Sequence, residues 1–213
     1  MRRTDWLIGA VAGAVLAAGG ITAAVASGDD SSGSGSGSRS GGTPPDSSAD
    51  AGFARDMAVH HQQAVEMSYI VRDRTKNEEV RRLAYDIAQT QANQRGMMLG
   101  WLDLWELPKV SEDPPMKWMD MDGMPSAGDG ALMPGMATNA QMKRLGKLNG
   151  RAAEVYYLRL MTAHHKGGIH MAQGCVERCG VDAERRLAGG MVESQESEVK
   201  LMGDMLRARG ARP

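Results

Sequence analysis

Residues 161–171 read MTAHHKGGIHM, and residues 57–67 read MAVHHQQAVEM. In both stretches a histidine pair follows the first methionine by three and four positions, and a second methionine follows it by ten. The two stretches start 104 positions apart, and the similarity at this offset continues without a gap beyond them. It gives 13 identities over the 50 positions that start at Phe53 and Tyr157. We therefore interpret the core of the chain as a duplicated unit.

The composition excludes several classes of protein. A formal net charge of −1 provides no basic surface for nucleic acid, so we predict no nucleic-acid partner. Two cysteines in 213 residues are too few for a disulfide scaffold. Methionine, with 17 residues against one phenylalanine, is unusually frequent for a side chain that normally fills gaps in a core.

The N-terminal segment, residues 1–27, has the features of an export signal. Arg2 and Arg3 precede an uncharged apolar run that ends in AVAS at residues 24–27, as in a secretory signal peptide. The run is also long enough to remain as a membrane anchor. Both alternatives place the rest of the chain outside the cytoplasm. Residues 28–50 are rich in Ser and Gly, as in a flexible linker, and such a tether favours an anchor that stays attached.

The pattern over residues 51–209 predicts an all-α fold, a four-helix bundle. One helical hairpin covers residues 51–106 and the second covers residues 138–209, and a long Met-rich crossover over residues 107–137 joins them. Asn77 is placed to cap the second helix of the first hairpin. Gly180 is expected to end the first long helix of the second hairpin in the left-handed conformation.

The duplicated stretches supply a candidate metal site. Residues three, four and seven apart share one face of a helix, so methionines and histidines of both copies can converge in the core. The predicted ligands are Met57, His60, His61, Met67, Met161, His164, His165 and Met171. Imidazole and thioether ligands together favour Cu(I) or Ag(I), with Cu(II) where histidine dominates. His170 falls on the outer face. Gln94 and Glu198 either orient the imidazoles by hydrogen bonds or bond at the rim of the core.

Other functions remain as alternatives to metal binding. A structural or interaction module would need polar partners for four histidines in a core without metal. A di-iron site needs Glu three residues before His, and no histidine here has it. The sequence contains no G-x-S-x-G motif for a nucleophile. We therefore predict a protein that is not an enzyme, with a copper-dependent oxidase as the competing catalytic hypothesis.

Two further groups of residues are candidates for secondary metal sites. In the crossover, thioethers at M-x-x-M and M-x-M spacing indicate exposed soft-metal ligands, or else padding of a loop that lies on the bundle. These methionines are Met116, Met119, Met121 and Met124. Cys175 and Cys179 either extend soft-metal binding beyond Met171 or form a local disulfide. The disulfide requires the last helical turn to unwind.

The stretches HHQQAVEM, PGMATNAQM and LMTAHHKGGIHMA resemble a bacterial domain-of-unknown-function family of exported, ferritin-like four-helix proteins, which includes copper-binding members of the CopM type. The resemblance covers residues 53–206. It implies a four-helix fold, export, and binding of copper or silver that supports tolerance of those metals. The eight Met and His ligands named above are the positions to which it applies. We therefore expect an extracytoplasmic protein that sequesters or delivers copper, with an unknown protein partner.

Overall fold

The computed structural model describes residues 42–121 and 128–212. The helices are α1 (Ala49–Arg74), α2 (Glu78–Leu104), α3 (Asn139–Leu145), α4 (Gly150–Arg178) and α5 (Asp182–Ala208), with a short 3₁₀ helix at Lys117–Met119. Over these residues the only β-type pairing is a single bridge in a tight turn, between Gly128 and Ala131. The predicted all-α fold is confirmed, with four long helices. The N-terminal segment, most of the linker and Met124 lie outside the described residues.

Side chains at the helix starts satisfy backbone N–H groups that have no partner within the helix. Asn77 accepts a hydrogen bond from the N–H of Val80 at 3.1 Å, so the predicted cap of α2 is confirmed. Ser48 does the same for α1. Thr138 and Gln141 form a reciprocal capping box at α3. These caps fix where each helix leaves the preceding loop.

The long helices pack as two hairpins, α1 with α2 and α4 with α5, and α1 also packs against α4. Helices α1 and α4 are antiparallel, because residues later in α1 pair with residues earlier in α4. Hydrogen bonds of 2.6–3.0 Å show this order, joining Ser68 to Tyr157, Thr75 to Glu154 and Asp50 to Val181. An antiparallel pair brings the two histidine stretches to the same level of the bundle.

The buried apolar side chains form two clusters along the α1–α4 pair. The first core cluster contains Met67 and Met161, with Ile87 and Tyr157. The second core cluster contains Met57 and Met171, with Phe53, Met191 and Cys175. The histidine pairs lie between these methionines along α1 and α4. The core therefore places one methionine pair on each side of the histidines.

The crossover is anchored on α1. The Asp56 carboxylate accepts hydrogen bonds from the Met116 N–H at 2.7 Å and from the indole N–H of Trp118 at 2.9 Å. The Trp118 ring packs edge-on against Phe53, and it lies so close to Gly52 that a Cβ there would meet it at 2.6 Å. The crossover is thus held on the bundle surface at the end that contains the second core cluster.

The crossover also approaches α4 closely at Gly167. A Cβ at this position would lie 1.9 Å from the carbonyl oxygen of Pro134. Only a residue without a side chain permits this contact, because the obstructing atom belongs to the backbone. This approach determines where the Pro134 carbonyl meets the histidines.

We expect Gly167→Ala to lower the free energy of unfolding by about 1–3 kcal/mol, since the added methyl group must displace the crossover. Urea unfolding followed by circular dichroism measures the change. Gly190→Ala is the matched control, because Gly190 lies exposed in α5 and a methyl group added there would meet no atom within 4 Å. There the better helix propensity of alanine should raise the stability by up to about 1 kcal/mol. Equal effects of the two substitutions would contradict the close approach at Gly167.

The end of α4 differs from the prediction. The helix ends at Arg178, and Cys179 adopts extended backbone with φ −67° and ψ 140°. Gly180 is not in the left-handed conformation, so its predicted role as the cap is wrong. The reason is that the Asp50 carboxylate of α1 accepts hydrogen bonds from the Gly180 and Val181 N–H groups, at 3.1 and 2.7 Å. These bonds draw the chain out of the helix without a left-handed residue.

None of the helices within the described ranges is long and apolar enough to cross a membrane. The N-terminal apolar run is not among them, and its role as a signal peptide or anchor stays a prediction.

Candidate metal centre

His60 and His164 occupy the centre of the α1–α4 interface. Both side chains are fully buried, and their rings stack with centroids 3.7 Å apart and planes inclined by 28°. The Nε2 atom of His60 lies 3.2 Å from the Pro134 carbonyl oxygen, and that of His164 lies 3.0 Å from the His60 carbonyl oxygen. Backbone carbonyls only accept, so Nε2 carries the hydrogen in both rings.

His61 and His165 face the partner helices of their own hairpins. The Nε2–H of His61 donates to Gln94 Oε1 at 2.9 Å, and the Nε2–H of His165 donates to Glu198 Oε2 at 2.7 Å. Each acceptor follows its histidine by 33 positions. The structure thus brings Gln94 and Glu198 to the imidazoles in equivalent ways, and both hydrogen bonds fix the orientation of the ring.

The other nitrogen of each ring has no partner. The Nδ1 atoms of His60, His61, His164 and His165 are all buried without a hydrogen bond. Because Nε2 carries the hydrogen in a neutral ring, each Nδ1 presents a lone pair to the core. Buried polar atoms are almost always paired, so four unpaired lone pairs in one region require an explanation. A soft metal ion is a chemical group that would satisfy them.

Burial keeps the rings of His60, His61 and His164 neutral. It lowers the pKa of His60 to about 4 and, with the added repulsion of a charged His60, that of His61 to about 3. The pKa of His164 falls well below its ordinary value for the same reason, and the neighbouring histidines add repulsion. Neutral imidazole is the form that ligates metals.

The histidines do not converge on one point. Within the described residues, no three ligand atoms of histidine, cysteine, aspartate or glutamate near this centre lie within 4.8 Å of one another. The ring centroids within each pair, His60 with His61 and His164 with His165, are 6.5 and 6.3 Å apart. A single ion held by four histidines therefore does not match the geometry. Methionine would have to supply the remaining ligands.

The four predicted methionine ligands are all fully buried. Met57 and Met171 lie in the second core cluster, and Met67 and Met161 lie in the first. Helix periodicity places each of them one to two turns from a histidine pair along α1 or α4. The thioethers thus flank the histidines from both ends.

The crossover methionines are not the exposed ligands that their spacing suggested. Met116 is 3 % exposed, and Met119 and Met121 are partly buried against the second core cluster. Their predicted exposure is therefore wrong, because the loop covers apolar surface that α1 and α4 leave open. Metal binding by these methionines stays a prediction. One polar contact remains at the surface, where Nε2 of the exposed His170 lies 3.3 Å from the Met121 sulfur.

The cysteine pair forms a disulfide between Cys175 and Cys179. This resolves the two alternatives for the oxidised protein, since sulfurs bonded to each other are not thiolate ligands. The unwinding that the bond requires is present, because Cys179 has left the helix. Neither residue can therefore act as a soft-metal ligand in this state.

Sequence reasoning missed two buried glutamines, one on α2 and one on α5. Gln91 and Gln195 are each 3 % exposed, and the Oε1 atom of each has no hydrogen bond. They occupy equivalent positions of α2 and α5, 104 residues apart. The Oε1 of Gln195 lies 2.5 Å from where a Cβ on Gly168 would be. Their identity in the repeat register was the available signal, since a polar residue kept inside both copies has a buried role.

The model of the family described as "Domain of unknown function (DUF305)" matches residues 50–206. The chain belongs to the DUF305 family. No curated protein matches the chain.

Solved structures of DUF305 proteins have the same fold. A candidate secreted DUF305 protein from Streptomyces coelicolor is 73 % identical, with a TM-score of 0.74, and the match covers 79 % of this chain and 98 % of that one. A DUF305 fragment from Deinococcus radiodurans is 27 % identical, with a TM-score of 0.63 and coverage of 79 % and 99 %.

The fold also matches CopM in its Cu(I)-bound form, with 19 % identity, a TM-score of 0.57 and coverage of 75 % and 96 %. At 19 % identity this similarity shows a shared fold and nothing more.

Proposed function

We propose that this DUF305 protein is an extracytoplasmic copper-binding protein that holds Cu(I), and also Ag(I), as cargo at the His/Met centre between α1 and α4. Its role is sequestration or delivery of the metal and not catalysis. The observation that carries the proposal is the set of four buried Nδ1 lone pairs without a partner. Thioether and neutral imidazole ligands select soft monovalent ions over hard ones.

The surroundings of the centre support this proposal. Each imidazole has its Nε2–H engaged by an oxygen, an arrangement that orients metal-ligating histidines in proteins. Buried methionines flank the histidine pairs, so an ion would combine one or two imidazoles with thioethers. Structures of CopM, which has the same fold, include forms bound to Cu(I), Cu(II) and Ag.

The proposal extends to localisation. A 73 %-identical relative is described as a candidate secreted protein, and residues 1–27 have the pattern of an export signal or anchor. We propose that the Ser/Gly-rich linker, predicted over residues 28–50, tethers the bundle to the outer face of the cell membrane if residues 1–27 stay attached as an anchor.

A competition titration of Cu(I) against a colorimetric chelator tests the metal proposal. The full chain is used in a mild detergent, with the disulfide intact. We expect the wild type to remove Cu(I) from the chelator, and the variant H60A/H61A/H164A/H165A to lose at least about tenfold in affinity, because these changes remove the imidazole ligands. The matched control is H170A, which removes the exposed histidine outside the core and should bind as the wild type does.

Each of the other outcomes would contradict a different part of the metal-binding proposal. Equal binding by the wild type and a folded quadruple variant would place the metal elsewhere and make the histidines structural. No binding by the wild type would leave a structural or interaction module as the better account. Consumption of oxygen during Cu(I) oxidation would favour the oxidase alternative.

A further inference from the structure

A second cluster of ligand atoms lies at the turn between α4 and α5. One sulfur from each of Cys175 and Cys179 and a carboxylate oxygen of Glu184 lie within 4.8 Å of one another. All three side chains are buried, with Glu184 0 % exposed. Among the histidine, cysteine, aspartate and glutamate residues of the two described ranges, no other three supply ligand atoms this close together. None of these residues belongs to the His/Met centre.

Glu184 is a buried acid without a donor. Neither carboxylate oxygen receives a hydrogen bond from an N–H or hydroxyl group. Burial, followed by the negative charge of Asp50 and a hydrogen bond between the two carboxyl groups, raises the pKa of Glu184 to about 9. The Asp50 carboxylate also accepts from the Gly180 and Val181 N–H groups, so it stays beside Glu184 as a fixed negative charge that favours the protonated, neutral form of Glu184. The ionised form of Glu184 is costly in this position unless a cation lies beside it.

The disulfide is an inefficient structural link. It joins residues four positions apart, and the stabilisation from a cross-link in the chain-entropy model is smallest for such short loops. It connects neither α4 to α5 nor one hairpin to the other. Closure of the α4 end is already provided by Asp50 of α1. The cysteine pair lies beside the Glu184 carboxyl group, which receives no hydrogen bond from an N–H or hydroxyl group. This arrangement therefore indicates a role beyond cross-linking.

We propose that Cys175, Cys179 and Glu184 form a second metal site, which exists only when the disulfide is reduced and takes a thiophilic divalent cation such as Zn²⁺. Two thiolates and one carboxylate are a ligand set of the kind that zinc accepts. Three negative charges in a buried site favour a divalent over a monovalent ion. The Arg185 guanidinium, which donates to the Cys179 carbonyl oxygen at 3.2 Å and pairs with the Asp182 carboxylate, adds positive charge beside the site.

The site forms in two balanced steps. An external dithiol or phosphine supplies two electrons, the S–S bond breaks, and two protons complete the Cys175 and Cys179 thiols. Metal binding then releases three protons, one from each thiol and one from Glu184. In the reverse direction the two thiolates pass two electrons to an external disulfide, which is reduced to two thiols; the Cys175–Cys179 bond re-forms, Glu184 takes up a proton and the ion leaves. The site thus couples metal occupancy to the redox state of the compartment.

Co²⁺ is the probe for this site, since thiolate ligation gives intense sulfur-to-metal charge-transfer absorption that histidine and methionine ligands do not. The full chain in detergent is reduced with a phosphine. The reductant is then removed under anaerobic conditions, and the protein is titrated with Co²⁺. We expect the charge-transfer band to saturate at one equivalent, to disappear when Zn²⁺ is added, and to be absent from the oxidised protein. The variant H60A/H61A/H164A/H165A should keep the band, which separates this result from the test of the His/Met centre.

E184Q isolates the third ligand. Glu184 is neutral in the oxidised protein, so glutamine preserves its charge and shape there, and the variant should fold. Loss of outer hydrogen-bond partners already weakens metal sites 10- to 100-fold, so we expect loss of a direct ligand to weaken Co²⁺ binding at least about tenfold. C175S/C179S should show no band.

Circular dichroism is used to test whether the reduced protein remains helical. If reduction unfolds the protein, the rate of thiol alkylation tests the site instead. Zn²⁺ present during reduction should slow alkylation of the cysteines in the wild type and not in E184Q. Absence of the band and of this protection would overturn the site. Equal Co²⁺ affinity of E184Q and the wild type would overturn the assignment of Glu184.

Discussion

Acidification from pH 6.5 to 4 should destabilise the metal-free protein by several kcal/mol. The pKa of His60 is lowered to about 4 and that of His61 to about 3, and that of His164 also lies well below 6.5. The unfolded chain therefore binds more protons than the folded one in this range, and stability falls as pH falls. For His60 alone, the shift corresponds to about 3 kcal/mol, at about 1.4 kcal/mol per pKa unit. The contribution is complete above pH 6.5 and lost as pH falls through the folded-state values.

Urea unfolding between pH 4 and 9 in the presence of a chelator measures this dependence. His61→Gln should reduce the acid-side slope by up to about 1.4 kcal/mol per pH unit, because one titrating ring is removed. His170→Ala is the control and should leave the slope unchanged, since His170 is exposed. An unfolding free energy that is constant from pH 7 to 4.5 would contradict the neutral, desolvated histidines.

Ionisation of Glu184 gives the opposite pH dependence, in which the free energy of unfolding falls as pH rises. The pKa of Glu184 is raised to about 9, so its contribution is complete below the ordinary carboxyl value of 4.5 and is lost as pH rises towards 9. E184Q should remove this decline and leave the histidine-dependent acid side in place. The two effects together place the maximum of stability near neutral pH.

Arg209→Met is expected to lower the free energy of unfolding by about 3–5 kcal/mol, because it leaves the buried Glu154 carboxylate without its counter-charge. Arg209 and Glu154 are 8 % and 9 % exposed and meet at 2.7 Å. Arg209 also donates to Asn77 Oδ1, the cap of α2, at 3.0 Å, and Thr75 donates to Glu154 at 2.6 Å. The pair thus joins the end of α5 to α4 and to the α1–α2 turn.

The matched control is Arg207→Met, two residues earlier. Arg207 pairs with Asp204 at the surface, where both side chains are about 60 % exposed, and such pairs contribute about 0–1 kcal/mol. The double variant R209M/E154Q should recover part of the lost stability, because no charge then remains buried. A loss below about 1 kcal/mol for R209M would show that water reaches Glu154 and that the pair is not structural.

Periodicity in the sequence was sufficient for the four long helices and their pairing. Histidines three and four residues after a methionine lie on one helical face, and a three-residue turn makes neighbouring helices antiparallel. The cap at Asn77 follows from local hydrogen bonding, which the sequence reveals directly. The burial of His60, His61, His164 and His165, with the exposure of His170, follows from the same helical geometry.

The sequence by itself determined the helices, their inward faces and the residue types at the centre, because these depend on neighbours within one or two turns. Only the tertiary structure decided how the faces meet. It stacked His60 on His164, brought the Pro134 carbonyl to His60, buried Met116 of the crossover and turned Cys179 out of α4 towards Asp50. These arrangements depend on contacts between segments 60 to 130 positions apart, and no local periodicity encodes the packing that selects them.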